Sequence, residues 1–223
     1  MTGAWPIKLV AGAVVSVVVV GFAPEALADR REASLHAHFV GGMATTSDPA
    51  VSDNASSPIG GIAVRGSYAT SNLFQYDVSL SILATGAAGF PTGMFTPPGR
   101  PTVSGPFTVS TQVTRLDGGA TLRFGVAWIP TLRLAAGVQG RHRGAPVVTS
   151  GGVEVSGEDD TGRGSELVLD LVGSATVGLD HRLTKRWIVG AAIGASLAVP
   201  LGGEPFRTIE GTAHAAYYWY PRF

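Results

Sequence analysis

The sequence predicts an eight-stranded antiparallel up-and-down transmembrane β-barrel that follows a cleaved signal peptide. Three observations carry this expectation: a three-part apolar leader, a period-two apolar alternation that recurs through the rest of the chain, and connections that alternate between short and long. In the leader, a short start carrying Lys8 precedes an apolar run from Leu9 to Phe22, and Ala26-Leu27-Ala28 stands before Asp29. That is the pattern of a secretory leader with a small-residue cleavage site. The run is shorter than the ~20 residues of a spanning helix, and Asp29, Arg30, Arg31 and Glu32 follow at once. Residues 1–28 are therefore expected to be removed, and 29–223 to form a single barrel domain.

Composition narrows the class. The chain has no Cys, so neither a lipid-bearing cleavage-site cysteine nor a disulfide enters the account. The formal charge is +0, which gives no basis for a nucleic-acid partner. Gly supplies 31 of 223 residues, about twice the usual ~7% share, and argues against long helices. Beyond residue 28, polar or charged residues interrupt every apolar run before it reaches spanning length. A chain of this kind can enter a membrane only as a closed barrel, where every backbone group is paired between strands.

The strands follow in order. Weaker ones are readable at 33–44 and 59–69. From Leu73 to Ala84 the alternation is clear: Phe74, Tyr76, Val78, Leu80 and Ile82 share one parity, and Gln75, Asp77, Ser79 and Ser81 the other. It recurs with Leu122, Phe124, Val126 and Trp128, then with Leu132, Leu134, Ala136 and Val138. Leu167, Leu169, Leu171, Ala175, Val177 and Leu179 repeat it against Glu166, Asp170, Ser174, Thr176 and Asp180. Two weaker segments, 186–199 and 206–222, complete eight.

Short links are expected near 70–72, 129–131 and 181–185, and long ones near 45–58, 85–108 and 143–163, with 200–205 intermediate. Outer-membrane barrels place short turns on the periplasmic side and long loops outside, whereas a soluble sandwich has no reason to gather its long loops at one end. Trp128, Trp187 and Trp219 all fall at the short-link end, and Tyr68 and Phe74 flank the first short link. These five form a candidate periplasmic aromatic girdle, because amphipathic rings favour the boundary between hydrocarbon and water.

The last segment, AHAAYYWYPRF, ends on Phe223, which shares parity with Trp219, Tyr217, Ala215 and Ala213. It resembles the carboxy-terminal signal by which outer-membrane barrels are handed to their assembly machinery, with Pro221 where the pattern carries an aromatic or apolar residue. In layout the chain resembles the OmpA/OmpX/OmpW class of small outer-membrane barrels. That resemblance implies residence in the bacterial outer membrane, Phe223 as assembly signal, and outer-membrane lipid, lipopolysaccharide and the barrel assembly machinery as partners of a monomer.

With the apolar parity toward lipid, the lumen receives Arg65, Asp77, Arg115, Arg123, Arg133, Arg141, Glu166, Asp170, Asp180 and Glu210. An eight-stranded barrel is just wide enough for side chains to fill, so these charges are expected to neutralise one another as a packed plug. A polar translocation path is the alternative. Arg65 and Asp77, both six residues from Ser71, are expected to pair across the first short hairpin.

His36 and His38 face one way on a strand, with no second pair at a comparable spacing. They are read as members of the polar network and not as metal ligands. Glu158, Asp159 and Asp160 read as a solvated acidic run in a long loop, with a divalent cation or lipopolysaccharide as the alternative. Asn54-Ala55-Ser56 reads as an exposed loop. No Ser, His and carboxylate lie together in sequence as a hydrolase would need, so neither catalysis nor a cofactor is expected. Three function classes remain: a sealed barrel displaying its long loops, a narrow pore or transporter for small or apolar solutes, and a soluble periplasmic ligand-binding barrel.

Overall fold

The computed structural model describes residues 32–48, 53–71, 73–96, 101–150, 153–156, 158–159, 166–200 and 205–220. The leader, Asp160 and Phe223 lie outside the described residues. Among those described, thirteen strands occur: β1 (Ala33–Asp48), β2 (Asp53–Ala69), β3 (Phe74–Thr85), β4 (Ala88–Thr96), β5 (Val103–Val109), β6 (Thr111–Arg123), β7 (Trp128–Arg143), β8 (Val147–Ser150), β9 (Val153–Ser156), β10 (Glu158–Asp159), β11 (Glu166–Arg182), β12 (Trp187–Pro200) and β13 (Phe206–Trp219).

Eight of them close a barrel in the order β1-β13-β12-β11-β7-β6-β3-β2, each pair antiparallel. Closure is made by β1 on β13, from Ala33 opposite Trp219 to Thr45 opposite Arg207. Strict alternation follows from the pleat. In β3 the apolar Phe74, Tyr76, Val78, Leu80 and Ile82 are exposed on the outside, while Gln75, Asp77, Ser79 and Ser81 are buried in the lumen.

The three short links lie at 70–73, 124–127 and 183–186, at the end that also holds the start of β1 and the end of β13. The second is displaced from its expected place. Pro130 lies within β7, opposite Leu179, and the turn precedes Trp128 instead of following it. Gly125 sets that turn: its φ is 100°, and a Cβ there would lie 2.3 Å from the Trp128 carbonyl oxygen. Only glycine adopts that conformation without strain.

Two of the long links are not loops. Residues 85–108 and 143–163 supply β4, β5, β8, β9 and β10, which form a second sheet in the order β10-β4-β5-β8-β9. Its apolar face, with Phe90 stacked on Phe107 at 4.8 Å, packs on Ala55 at the outer end of β2. Pro91 is accommodated at a register shift between Phe90 and Gly93, where a bulge releases the ladder. The first long link is shorter than expected, because β1 and β2 stay paired out to Asp48 opposite Asp53. Asn54-Ala55-Ser56 thus belongs to a strand. Thr45, Thr46, Asn54 and Ser56 alternate no apolar side chain, so period two is invisible there in the sequence.

Candidate functional site in the barrel lumen

The lumen is layered. At the short-link end Ile129, Ile188, Ala216 and Tyr218 form an apolar floor. At the other end Val40, Ala44, Ile59, Leu83, Val113, Val172, Ala198 and Phe206 form an apolar cap, all pointing inward. Between them lie the charges.

The outer charges form one continuous relay. Arg115 is 3.1 Å from Glu210 and donates from Nε to Gln139 Oε1 at 3.2 Å and from Nη2 to Ser196 Oγ at 3.2 Å. Gln139 Nε2 donates to Asp170 Oδ2 at 2.9 Å, and Arg141 grips the same carboxylate with Nε at 2.6 Å and Nη2 at 2.9 Å. The two-pronged contact suits the planar guanidinium. The Arg141 group also lies 5.2 Å over the Phe206 ring, tying the relay to the cap. Glu166, half exposed at the rim, faces Arg143 across the β7–β11 pair.

In the middle, Arg133 bridges Asp77 and Asp117, donating from Nε to Asp77 Oδ1 at 2.9 Å, while Thr121 donates to Asp77 Oδ2 at 3.1 Å. Asp77 is therefore held by Arg133, and the expected Arg65–Asp77 pair does not form. The register explains why. The turn centres one position later than Ser71, so Arg65 stands opposite Ser79 and Asp77 opposite Ser67. Both still face the lumen, but diagonally. Arg65 keeps a buried Nε with no hydrogen-bond partner.

At the floor, Glu32 is buried between Arg123 at 3.8 Å and Arg182 at 3.5 Å, and accepts from the Tyr220 hydroxyl at 3.0 Å. Arg123 also lies 5.1 Å over the Tyr218 ring. Glu32, Asp117 and Arg182 are members of the network that the sequence reading did not single out. Glu32 stands in the charged stretch after the leader, Asp117 shares the inward parity of Arg115, and Arg182 falls in what reads as the short link at 181–185.

The histidines are closer together than their positions in the chain suggest. His214 stands opposite His38 in the β1–β13 register, so it joins His36 and His38 instead of being scattered from them. Ring centres are 4.7 Å apart for His38–His214, 5.7 Å for His36–His214 and 5.8 Å for His36–His38. His36 Nε2 is 2.9 Å from Ser34 Oγ, and His214 Nε2 is 3.1 Å from Asp180 Oδ1. Neither pair extends into a triad, since His36 Nδ1 and His214 Nδ1 are buried without a hydrogen-bond partner. Gly190 makes the space, since a Cβ there would lie 2.3 Å from Asp180 Oδ1 and 2.7 Å from the His214 ring.

Two cavities remain in this middle layer. One of about 50 Å³ lies between Arg65, Arg115, Arg133 and Glu210, and another of about 30 Å³ lies between the three histidines, Arg123 and Asp180. Each has room for a few waters. The lumen is thus packed at both ends and polar and roomy in between, not a uniform plug.

On the outside, Phe74, Trp128, Trp187 and Trp219 are exposed at the short-link end and Tyr68 half exposed; Trp187 meets Tyr217 edge-on at 5.2 Å. The solved structure of Neisserial surface protein A superposes with a TM-score of 0.53 over 84% of this chain and 99% of that one, at 10% identity. The fold is that of a small outer-membrane barrel. Ail, the attachment invasion locus protein of Yersinia pestis, is matched over 86% of this chain and 100% of that one, with a TM-score of 0.48 and 12% identity. No protein-family profile matches the sequence, and no curated protein matches it.

Proposed function

We propose that the chain is a sealed outer-membrane barrel that holds its second sheet outside the cell as an interaction surface. The observation that carries this is the inverted distribution of side chains. Phe39, Ile62, Leu80, Leu116, Leu134, Leu171, Ile193 and Ile209, one from each barrel strand, are exposed on the outside, whereas the ion pairs are buried within. Water would not favour such an outer face; hydrocarbon does. From Leu167 to Leu179 the apolar face of β11 spans roughly 40 Å along the strand, about 28 Å at a 45° tilt, which matches a ~25 Å apolar band.

In this reading the girdle sits at the periplasmic interface, the barrel is monomeric, and lipid and lipopolysaccharide surround it after delivery by the barrel assembly machinery. The apolar floor and cap favour closure over a pore, and the reading assigns no catalysis. Planar-bilayer recording of the purified protein tests it. Steady conductance is expected to be small or absent, and replacing Arg123 and Arg133 together by Ala to raise the leak. Large, stable wild-type openings that those substitutions leave unchanged would favour the transporter alternative.

A further inference from the structure

The cavity beside the histidines is walled by cations. Arg65, Arg123 and Arg133 all line this space of about 30 Å³, against one carboxylate, Asp180. Arg133 already bridges Asp77 and Asp117. The other two guanidiniums are not held in this way. All three side-chain nitrogens of the buried Arg123 lack a hydrogen-bond partner, and the Glu32 carboxylate it pairs with stands 3.8 Å away, closer to Arg182 at 3.5 Å. Arg65 Nε is also buried without a partner, and no ion pair among the described residues includes Arg65. His38 adds two buried ring nitrogens in the same state, one of which carries a proton even in the neutral imidazole. Buried donors of this kind are costly unless something accepts from them. The lining therefore favours an occupant that accepts and does not donate, and the volume has room for only a few atoms.

Charge sets a second condition. In the floor and middle layer Arg65, Arg123, Arg133 and Arg182 stand against Glu32, Asp77, Asp117 and Asp180, four against four. An anion entering alone would leave this desolvated layer with an uncompensated negative charge. His214 is placed to hold the balancing proton, because its Nε2 lies 3.1 Å from Asp180 Oδ1. The other charged and titratable groups lining the same cavity are His36 and His38 on β1, Arg65 on β2, Arg123 on β6, Arg133 on β7 and Tyr218 on β13. Asp180 attracts a proton on His214 and the three guanidiniums repel it. An anion among those guanidiniums offsets the repulsion, so proton and anion assist one another. We propose that the cavity binds a small monovalent anion of halide size between Arg65, Arg123 and His38, taken up together with a proton on His214.

The test uses the full chain refolded in detergent with sodium gluconate, whose anion is too bulky for the cavity, and with bromide replacing gluconate at constant ionic strength. Bromide should raise the thermal unfolding midpoint saturably, as a ligand of the folded barrel does. Crystals grown in bromide should show an anomalous peak between Arg65, Arg123 and His38. Affinity is expected to rise as pH falls from about 8 to about 6, by at most about tenfold per unit, and His214→Gln to flatten that rise. Arg65→Gln and Arg123→Gln should each weaken bromide binding by roughly tenfold or more. Arg207→Gln, on the exposed outer face, should leave it unchanged. Slowed migration on electrophoresis after heating reports that each variant is folded; where Arg123→Gln is not, Arg65→Gln and the anomalous peak decide. Absence of a saturable bromide effect at about pH 6, or binding that survives Arg65→Gln, would overturn the site. An affinity that does not change with pH would overturn the coupled proton.

Discussion

The outer relay and the middle layer of the lumen are built from the same residue types and satisfy them to different degrees. In the outer half, Glu210, Arg115, Gln139, Asp170 and Arg141 form an unbroken relay against an apolar cap. In the middle layer Arg133 holds Asp77 and Asp117, yet Arg65, Arg123 and His38 keep buried nitrogens without hydrogen-bond partners beside a cavity. The difference shows where a narrow barrel uses its polar groups for closure and where it leaves them unmet around a cavity. Saturated ion pairs hold strands in place, whereas unmet donors in a cavity hold solvent or something that replaces it.

The largest effect that would sharpen this contrast is expected from Asp170→Ala. It leaves the Arg141 guanidinium buried and without its two-pronged partner, which should cost about 3–5 kcal/mol. Arg65→Ala, removing a desolvated charge that has no close carboxylate, should cost about 1 kcal/mol or less. Urea unfolding of both variants in lipid vesicles measures the gap, and equal costs would erase the distinction between the layers.

A second comparison sets the middle of the outer face against its edge. Arg in place of Leu80, Leu134 or Leu171 should cost about 2–4 kcal/mol, and Arg in place of Tyr68 or Trp187 about 0–1. Unfolding midpoints in vesicles read the difference. Equal tolerance at both sets would mean that this face does not meet hydrocarbon.

The smallest effect concerns the space beside the histidines. Gly190→Ala should push Asp180 away from His214 and cost on the order of 1 kcal/mol, the lower end for overpacking. NMR of the histidine ring protons is expected to show His214 displaced while His142 is unmoved. An unchanged His214 signal would mean that the cluster has slack, and that Gly190 serves another end.

Strand number and the inward or outward sense of each side chain were legible in the sequence wherever one face meets an apolar environment. Phe74 to Ile82 could be read because lipid on one side and ion pairs on the other demand opposite residue types at successive positions. Beyond the apolar band that demand ends. The outer parts of β1 and β2, and β4, β5, β8, β9 and β10, could not be read because Thr, Ser, Gly and Pro carry no such contrast. Only the tertiary structure decided which inward charges meet. In a closed barrel a partner can stand across the bore as well as on the neighbouring strand, where Arg133 also meets Asp117 and Gln139 meets Asp170. Arg115 finds Glu210 95 residues away, Arg133 finds Asp77 56 away, and Arg182 finds Glu32 150 away. Parity places a side chain inside, but the tilt and stagger of all eight strands set its height: a shift of two residues in the β2–β3 pair separated Arg65 from Asp77, and the β1–β13 closure brought His214 to His38.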